Sequence, residues 1–283
     1  MRLLFCGDVV GRTGRDVLIH NLPRLRASLA LDFVVVNGEN AAHGFGITQA
    51  ICVELFKAGA DVITTGNHAW DQREIVPYFA QEPRLLRPIN YPVGTPGHGA
   101  SVFETASRRK VLVLQVMGRL YMEPVDDPFP AVDKVLASHR LGNTVDAIVV
   151  DVHAEATSEK QAMAHGLDGK VSLVVGTHSH VPTADAWLLP GSTAYQTDAG
   201  MCGDYDSVIG MAKEQSICRF RQRVPRERLA PATGEATLCA TYVETDDKSG
   251  LAHWVRPLRL GGRLEPAWPV DEIAPLELLS AAG

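Results

Sequence analysis

Two histidines two residues apart, His178 and His180, close the stretch Gly176-Thr177-His178-Ser179-His180, directly after the apolar run Leu173–Val175. The same arrangement recurs along the chain. Leu3–Cys6 runs into Gly7-Asp8, Phe33–Val36 into Asn37-Gly38-Glu39-Asn40, Val62–Thr65 into Gly66-Asn67-His68, and Ala147–Val150 into Asp151-Val152-His153. Each apolar run therefore ends in groups that bind metal or move protons. The donors are oxygen and imidazole nitrogen with no thiolate, a set that suits manganese, iron or zinc in a reactive centre rather than a structural zinc site. His178 and His180 point the same way on a straight strand and straddle two ions in a loop. The Glu39 carboxylate is placed to bridge such ions, and two neighbouring ions clamp a phosphoryl group and generate hydroxide at neutral pH.

Each residue also has an ordinary reading. Asp8 alone is a turn or helix-cap residue, Asn67 a turn residue, His153 a satisfied core or surface histidine, and Glu39 a solvated loop charge. The joint pattern, above all Gly-Asn-His and His-x-His both at strand ends, outweighs these separate readings.

The elements that must position these groups are short, continuous and apolar, as in strands buried on both faces. Val111–Val116 is a further strand of this kind. Helical patterns fall between them at roughly 15–29, 49–58, 72–80 and 158–164. Thr48 and Asp71 read as N-caps, with Glu74 completing a capping box behind Asp71. Alternating strands and helices predict an α/β fold. In open α/β sheets the carboxyl ends of the strands line the ligand crevice, so these groups converge if the strands are parallel neighbours. The Pro- and Gly-rich segment 88–99 reads as a loop. After Ala194 the helical pattern fades, and Cys218–Val224, Ala236–Val243 and Leu251–Leu260 read as antiparallel strands, the last pair a hairpin through 246–250. The Pro-rich tail from Glu265 reads as an edge segment. No repeat, low-complexity tract or linker divides the 283 residues, which predicts one domain over 1–283.

Composition narrows the function. Apolar residues make up 46% of the chain, enough for a large core, and the formal net charge of -6 argues against general nucleic-acid or membrane-surface binding. Cys6, Cys52, Cys202, Cys218 and Cys239 are scattered and odd in number, which predicts reduced thiols in a cytoplasmic protein. Cys6 reads as a small buried hydrophobe. The apolar start stops at Asp8, which reads as no signal peptide, and no run reaches the ~18 residues of a membrane span.

Other motifs fail. Gly7–Gly14 matches neither dinucleotide nor P-loop glycine patterns, and there is no H-E-x-x-H or G-x-S-x-G. Arg219, Arg221, Arg223, Arg226 and Arg228 alternate as on a strand and read as a solvated face. His43, close to Asn40 in a glycine-rich stretch, is a candidate substrate contact.

With these motifs in hand, the chain resembles the calcineurin-like metallophosphoesterases, and more narrowly the bacterial YmdB-like branch. GDVVGRTGRD, VVNGENAAHGFGIT, TTGNHAWD, RPINYPVGTPG, DVHAEATSEK, VVGTHSHVPTAD and TDAGMCGDYDSVIGM carry the resemblance, from the N-terminus to about residue 211. It implies a four-layer α/β/β/α sandwich with two packed mixed β-sheets. It implies that Asp8, Asn40 and His180 hold one metal ion, that Asn67, His153 and His178 hold a second, and that Glu39 bridges them. His68 would stand beside the pair as general acid or phosphate contact. The broad superfamily has a histidine at the position of Val10 and an aspartate as bridge; the resemblance to the narrow branch implies Glu39 as the bridge and Asn40 in place of the missing histidine. The branch also implies two iron or manganese ions (zinc fits the same donors), 2',3'-cyclic nucleotides as substrates, and a homo-oligomer.

The mechanism these residues imply is phosphodiester hydrolysis by metal-activated hydroxide. The alternatives are a phosphomonoesterase on the same scaffold and a non-catalytic nucleotide-binding regulator. A bridging carboxylate speaks against the regulator, because a pure binder needs none.

Overall fold

The computed structural model describes residues 1–222 and 228–270. In chain order its elements begin with β1 (Arg2–Cys6), β2 (Asp8–Val9), α1 (Gly11–Ser28), β3 (Phe33–Asn37), α2 (Gln49–Ala58), β4 (Val62–Thr64), α3 (Val76–Phe79), β5 (Ala100–Glu104) and β6 (Lys110–Met117). They continue with α4 (Pro128–Leu136), β7 (Ala147–His153), α5 (Thr157–Gly166), β8 (Leu173–Thr177), β9 (Trp187–Leu188), β10 (Ala194–Gln196), β11 (Met201–Asp204), α6 (Lys213–Gln222), β12 (Ala236–Thr245) and β13 (Ala252–Leu260).

The strands form two mixed sheets. The first has the order β2-β11-β12-β1-β3-β4, with β13 also pairing with β12; the second is β5-β6-β7-β8-β10-β9. Within the first, β1, β3 and β4 are parallel neighbours. Within the second, β6, β7, β8 and β10 are parallel.

Strand side chains alternate between faces, and here both faces are covered. Leu3, Phe5, Phe33, Val35 and Val62 meet Val111, Val113, Ala147, Val149, Leu173 and Val175 in one buried layer between the sheets. The intervening residues Leu4, Cys6, Val34, Val36 and Ile63 turn outward onto Leu18, Leu22, Leu25, Ile51 and Leu55 of α1 and α2. On the far side, Leu112, Leu114, Ile148, Val150 and Val174 pack against Val132 of α4 and Met163 and Ala164 of α5. The result is the four-layer α/β/β/α sandwich. Double-sided burial explains why these strands read as unbroken apolar runs, and each fully buried Leu, Val or Phe contributes roughly 1.5–3 kcal/mol.

Several expectations need correction. Cys218–Val224 is not a strand: residues up to Gln222 belong to α6, and 223–224 lie outside the described residues. The stretch is rich in Lys, Glu, Gln and Arg, whose helix propensity overrides the two-residue alternation. Arg219, Arg221 and Arg228 are exposed, and Arg223 and Arg226 lie outside the described residues. The helix expected at 72–80 breaks into a 3-10 turn, Arg73–Ile75, and the single turn α3, where Pro77 lacks the N–H a continuous helix needs. α1 starts at Gly11, earlier than the periodicity implied. The Thr48 cap is present, its hydroxyl accepting from Ile51 N at 3.3 Å. The β12–β13 hairpin turns through 246–250, where Gly250 has φ +73°. Ala267 of the tail bridges Arg259 on the edge of β13, and 271–283 lie outside the described residues. No helix among the described residues is long and apolar enough to cross a membrane.

Candidate metal and active site

The layer between the sheets changes character at the strand ends. Following every second residue, Phe33 and Val35 lead to Asn37, Val111 and Val113 to Gln115, Ala147 and Val149 to Asp151, and Leu173 and Val175 to Thr177. All four polar residues are 0% exposed. They satisfy one another, as buried polar groups must. Asp151 Oδ1 accepts from the Thr177 hydroxyl at 2.7 Å, and its Oδ2 from Asn37 Nδ2 at 3.1 Å and Gln115 Nε2 at 2.9 Å. This network ties the two sheets together and forms the floor of the site. Asn37 Oδ1 also accepts from Glu39 N at 3.0 Å, fixing the turn that carries Glu39.

On that floor the ligand-type side chains gather in two groups. His153 Nε2 lies 2.7 Å from Glu39 Oε2, 3.0 Å from Asn67 Oδ1 and 3.1 Å from His178 Nδ1. Beside it, His180 Nε2 lies 3.2 Å from Asn40 Oδ1 and 3.8 Å from Asp8 Oδ1. Asp8 also accepts from His178 N at 3.2 and 3.3 Å, which couples the groups. Asp8, Glu39, Asn40 and Asn67 come from the side of the first sheet, and His153, His178 and His180 from that of the second.

The partners of the imidazoles set their tautomers. The Ile209 carbonyl, 2.8 Å from His180 Nδ1, can only accept, so Nδ1 carries the proton and Nε2 turns its lone pair to the centre. Thr177 spends its hydroxyl proton on Asp151, so His153 Nδ1, at 2.9 Å, donates to Thr177 and Nε2 faces the centre. Glu155 Oε2 stands 3.2 Å from His178 Nε2, leaving His178 Nδ1 inward. An oxygen acceptor behind each such imidazole is the usual outer support of a metal ligand.

Whether a cation fits is decided by three further observations. Glu39 Oε2 is buried and meets only His153 Nε2, an atom the other contacts turn toward the centre as a lone pair. The ligand atoms of Glu39, His153 and His178 all lie within 4.8 Å of one another. A Cβ at Gly66 would run into Glu39 Oε1 and His153 Nε2, so glycine keeps this space open. Two nitrogens and two oxygens converging on one point without enough protons to join them fit a transition-metal ion. Without one, burial lowers the affinity of His153 for a proton, but Glu39, then Asp8 and Asp151, outweigh this and hold it above the ordinary histidine value. Burial likewise opposes ionisation of Glu39, yet His153 keeps its carboxyl well below the usual range. Burial, aided by His153, pushes His178 down to about 3, so it is a neutral donor.

His68 stands at the rim. Its backbone N–H donates to Glu39 Oε1 at 2.7 Å, and its Nδ1 meets Asp71 Oδ2 at 2.8 Å. Asp71 is therefore not the expected helix cap. Its carboxylate holds the His68 ring, and the turn behind it, with Gln72 at the cap position, has no side-chain cap. His43 is exposed on a left-handed turn (φ +55°) and does not line the cavity, whereas Phe45, edge-on to His68 at 5.1 Å, does.

A family model described as YmdB-like protein matches residues 4–258. The chain belongs to the YmdB-like family. It is 45% identical over 249 residues to a 2',3'-cyclic-nucleotide 2'-phosphodiesterase of Bacillus subtilis, covering 88% of this chain and 93% of that relative. It is 38% identical over 251 residues to a putative phosphatase/phosphodiesterase of Mycoplasma pneumoniae, covering 87% of this chain and 88% of the relative. A solved hypothetical protein from Thermus thermophilus superposes with a TM-score of 0.86 at 42% identity, covering 93% of this chain and all of the other (100%). A solved phosphatase from Mycoplasma pneumoniae superposes with a TM-score of 0.86 at 34% identity, covering 92% and 93% respectively.

In this YmdB-like chain the pattern of candidate ligands was legible from strand ends, but its support was not. Asn37, Gln115, Asp151, Thr177, Asp71 and Glu155 were missed as working residues. A signal did exist: each of the first four stands two residues after an inward apolar residue, and a polar side chain in that register at a strand end demands a buried partner.

Proposed function

We propose that this chain hydrolyses small phosphodiesters, with 2',3'-cyclic nucleotides as substrates, at a centre of two transition-metal ions. The coarser statement, a hydrolase of phosphoester bonds, rests on family membership and on relatives carrying phosphodiesterase and phosphatase names. The observation that carries the metal centre is the convergence of Glu39, Asn67 and His178 on His153 Nε2, and the cyclic-nucleotide substrate is supported by the relative that carries that name at 45% identity. Asn67, His153 and His178 would hold one ion and Asp8, Asn40 and His180 the other, with Glu39 shared. The donors suit iron or manganese, and zinc is compatible. Two such ions supply Lewis-acid charge for a phosphoryl group and make water acidic enough to attack near neutral pH.

The chain's own residues do the rest. Asp71 holds His68 by Nδ1, leaving Nε2 to protonate the departing oxygen or to bind the phosphoryl group as charge develops. Thr177, Glu155 and the Ile209 carbonyl keep three imidazoles in the ligating tautomer. The buried Asn37–Gln115–Asp151 network keeps the floor rigid.

The test is hydrolysis by metal-stripped protein, with and without manganese, of a 2',3'-cyclic nucleotide beside a nucleoside monophosphate. Manganese-dependent turnover of the cyclic diester alone supports the reading. Turnover of the monoester alone replaces it with a phosphomonoesterase. Binding of either without turnover, with two ions bound, overturns catalysis in favour of a regulator.

A further inference from the structure

The cavity lined by Glu39, Asn40, His178 and His180, about 270 Å³, also has Ile209, Met211 and Leu229 in its wall. The same three residues line a second cavity of about 360 Å³, completed by Val208, Ser216, Arg219 and Phe220. The cavities therefore adjoin along these three residues, and the second lies next to the metal-ligand groups.

The shared wall is built under strain. Ile209 is β-branched yet has φ +47°, a region such residues rarely adopt, and Gly210 follows at φ +92°. The Val208–Met211 bridge pins the turn, with hydrogen bonds of 2.9 and 3.0 Å. Its geometry sends the Ile209 carbonyl to His180 and leaves the side chain between the cavities, 54% exposed. Beyond it, Phe220 on α6 is 84% exposed. A large aromatic standing open beside such a cavity, with a guanidinium next to it, is a surface that calls for a ligand.

We propose that this second cavity is the nucleobase subsite. A nucleobase combines a flat apolar face with a polar edge. Phe220 offers the stacking face, Ile209, Met211 and Leu229 the apolar wall, and Arg219 donors for oxygens and nitrogens of the base edge. The inference rests on the phosphodiesterase reading for the position of the phosphate, and the adjoining second cavity is the neighbouring space for the base. Because Ile209 touches the base with its side chain and orients His180 with its carbonyl, base recognition is coupled to the geometry of His180.

The experiment compares 2',3'-cyclic AMP with the base-less methyl riboside 2',3'-cyclic phosphate, using manganese-loaded wild type and Phe220→Ala. Phe220 is exposed, so its loss leaves the core intact. The wild type should favour the nucleotide in kcat/KM by about tenfold or more, and Phe220→Ala should cut that ratio by about tenfold, through KM rather than kcat. Equal kcat/KM for the two substrates in the wild type, or an unchanged ratio in the variant, overturns the proposal. So does a variant whose only change is in oligomeric state, because the cavity is then a contact between copies. If neither diester is turned over, the phosphodiesterase reading falls, and adenosine titrated into the protein decides the subsite by itself. Saturable binding weakened about tenfold by Phe220→Ala upholds it, and absence of binding overturns it.

Discussion

Lys160 Nζ lies 2.8 Å from Asp198 Oδ2, with each side chain only 1% exposed. Asp198 also accepts from Ser179 N at 3.1 Å, Ser179 Oγ at 2.8 Å and Gly200 N at 2.8 Å. The pair thus grips the residue between His178 and His180, both held at positive φ (+92° and +63°), and the turn whose Gly200 carbonyl accepts from Asp8 N. Left-handed histidines persist only where their surroundings over-determine them. Lys160→Met strands a buried carboxylate and is expected to destabilise the fold by about 3–5 kcal/mol, read from urea unfolding. Adding Asp198→Asn should recover part of that loss. A single-variant cost below about 1 kcal/mol, the scale of an exposed pair, would show that the pair does not hold the loop.

Glu39 meets both the His153 ring and the His68 backbone. Glu39→Gln keeps the shape but removes the charge that two cations would share. We expect tightly bound metal to fall from two ions per chain to one or none, measured by elemental analysis after dialysis. Retention of two ions would exclude a bridging role.

His68→Ala is expected to lower kcat by roughly 10²–10⁴-fold with metal content unchanged, the range for a general acid. Asp71→Asn should cost less, about tenfold, because it misorients the ring without removing it. Unchanged turnover in His68→Ala would remove this residue from the reaction.

Gly66→Ala places a methyl group where Glu39 Oε1 and His153 Nε2 already lie. Metal affinity should collapse while far-UV circular dichroism stays close to wild type and the metal-free protein loses about 1–3 kcal/mol to overpacking. Normal metal loading would mean that the cradle yields more readily than the packing indicates.

Glu155→Ala leaves every proposed ligand in place but frees His178 Nε2. Loss of such an outer acceptor typically costs roughly 10–100-fold in metal affinity, which competition with a chelator can measure. Equal affinity in the variant would show that the Glu155 contact at 3.2 Å does not set the His178 tautomer.

Local chemistry made the strand-end donor groups readable. A strand buried on both faces needs an unbroken apolar run, so the first polar group after it marks the carboxyl edge where a crevice opens. Asp8 is the first polar side chain after its run, and Glu39, Asn67, His153, His178 and His180 stand within two to five residues of theirs, past first polar residues such as Asn37, Asp151 and Thr177; the same runs predict the α/β class. The rule weakens where burial is not the local driver. α6 exposes most of its length, so its alternating arginines mimic a strand, while Asp71, a plausible cap by spacing, is claimed by His68 instead.

By itself, then, the sequence determined which side chains are on offer: oxygen and imidazole donors, no thiolate, each near the end of an apolar run, in a pattern that already resembled the YmdB-like branch. Only the tertiary structure decided which donors meet. Asn37 and Asp151 are 114 residues apart and belong to different sheets, yet their side chains bond at 3.1 Å. Lys160 looks like a solvated helix charge until α5 packs on β8 and buries it against Asp198. The reason is physical. Periodicity along a chain reports which face of an element avoids water, whereas the pairing of polar groups depends on how two sheets stack, and that is a property of the whole core.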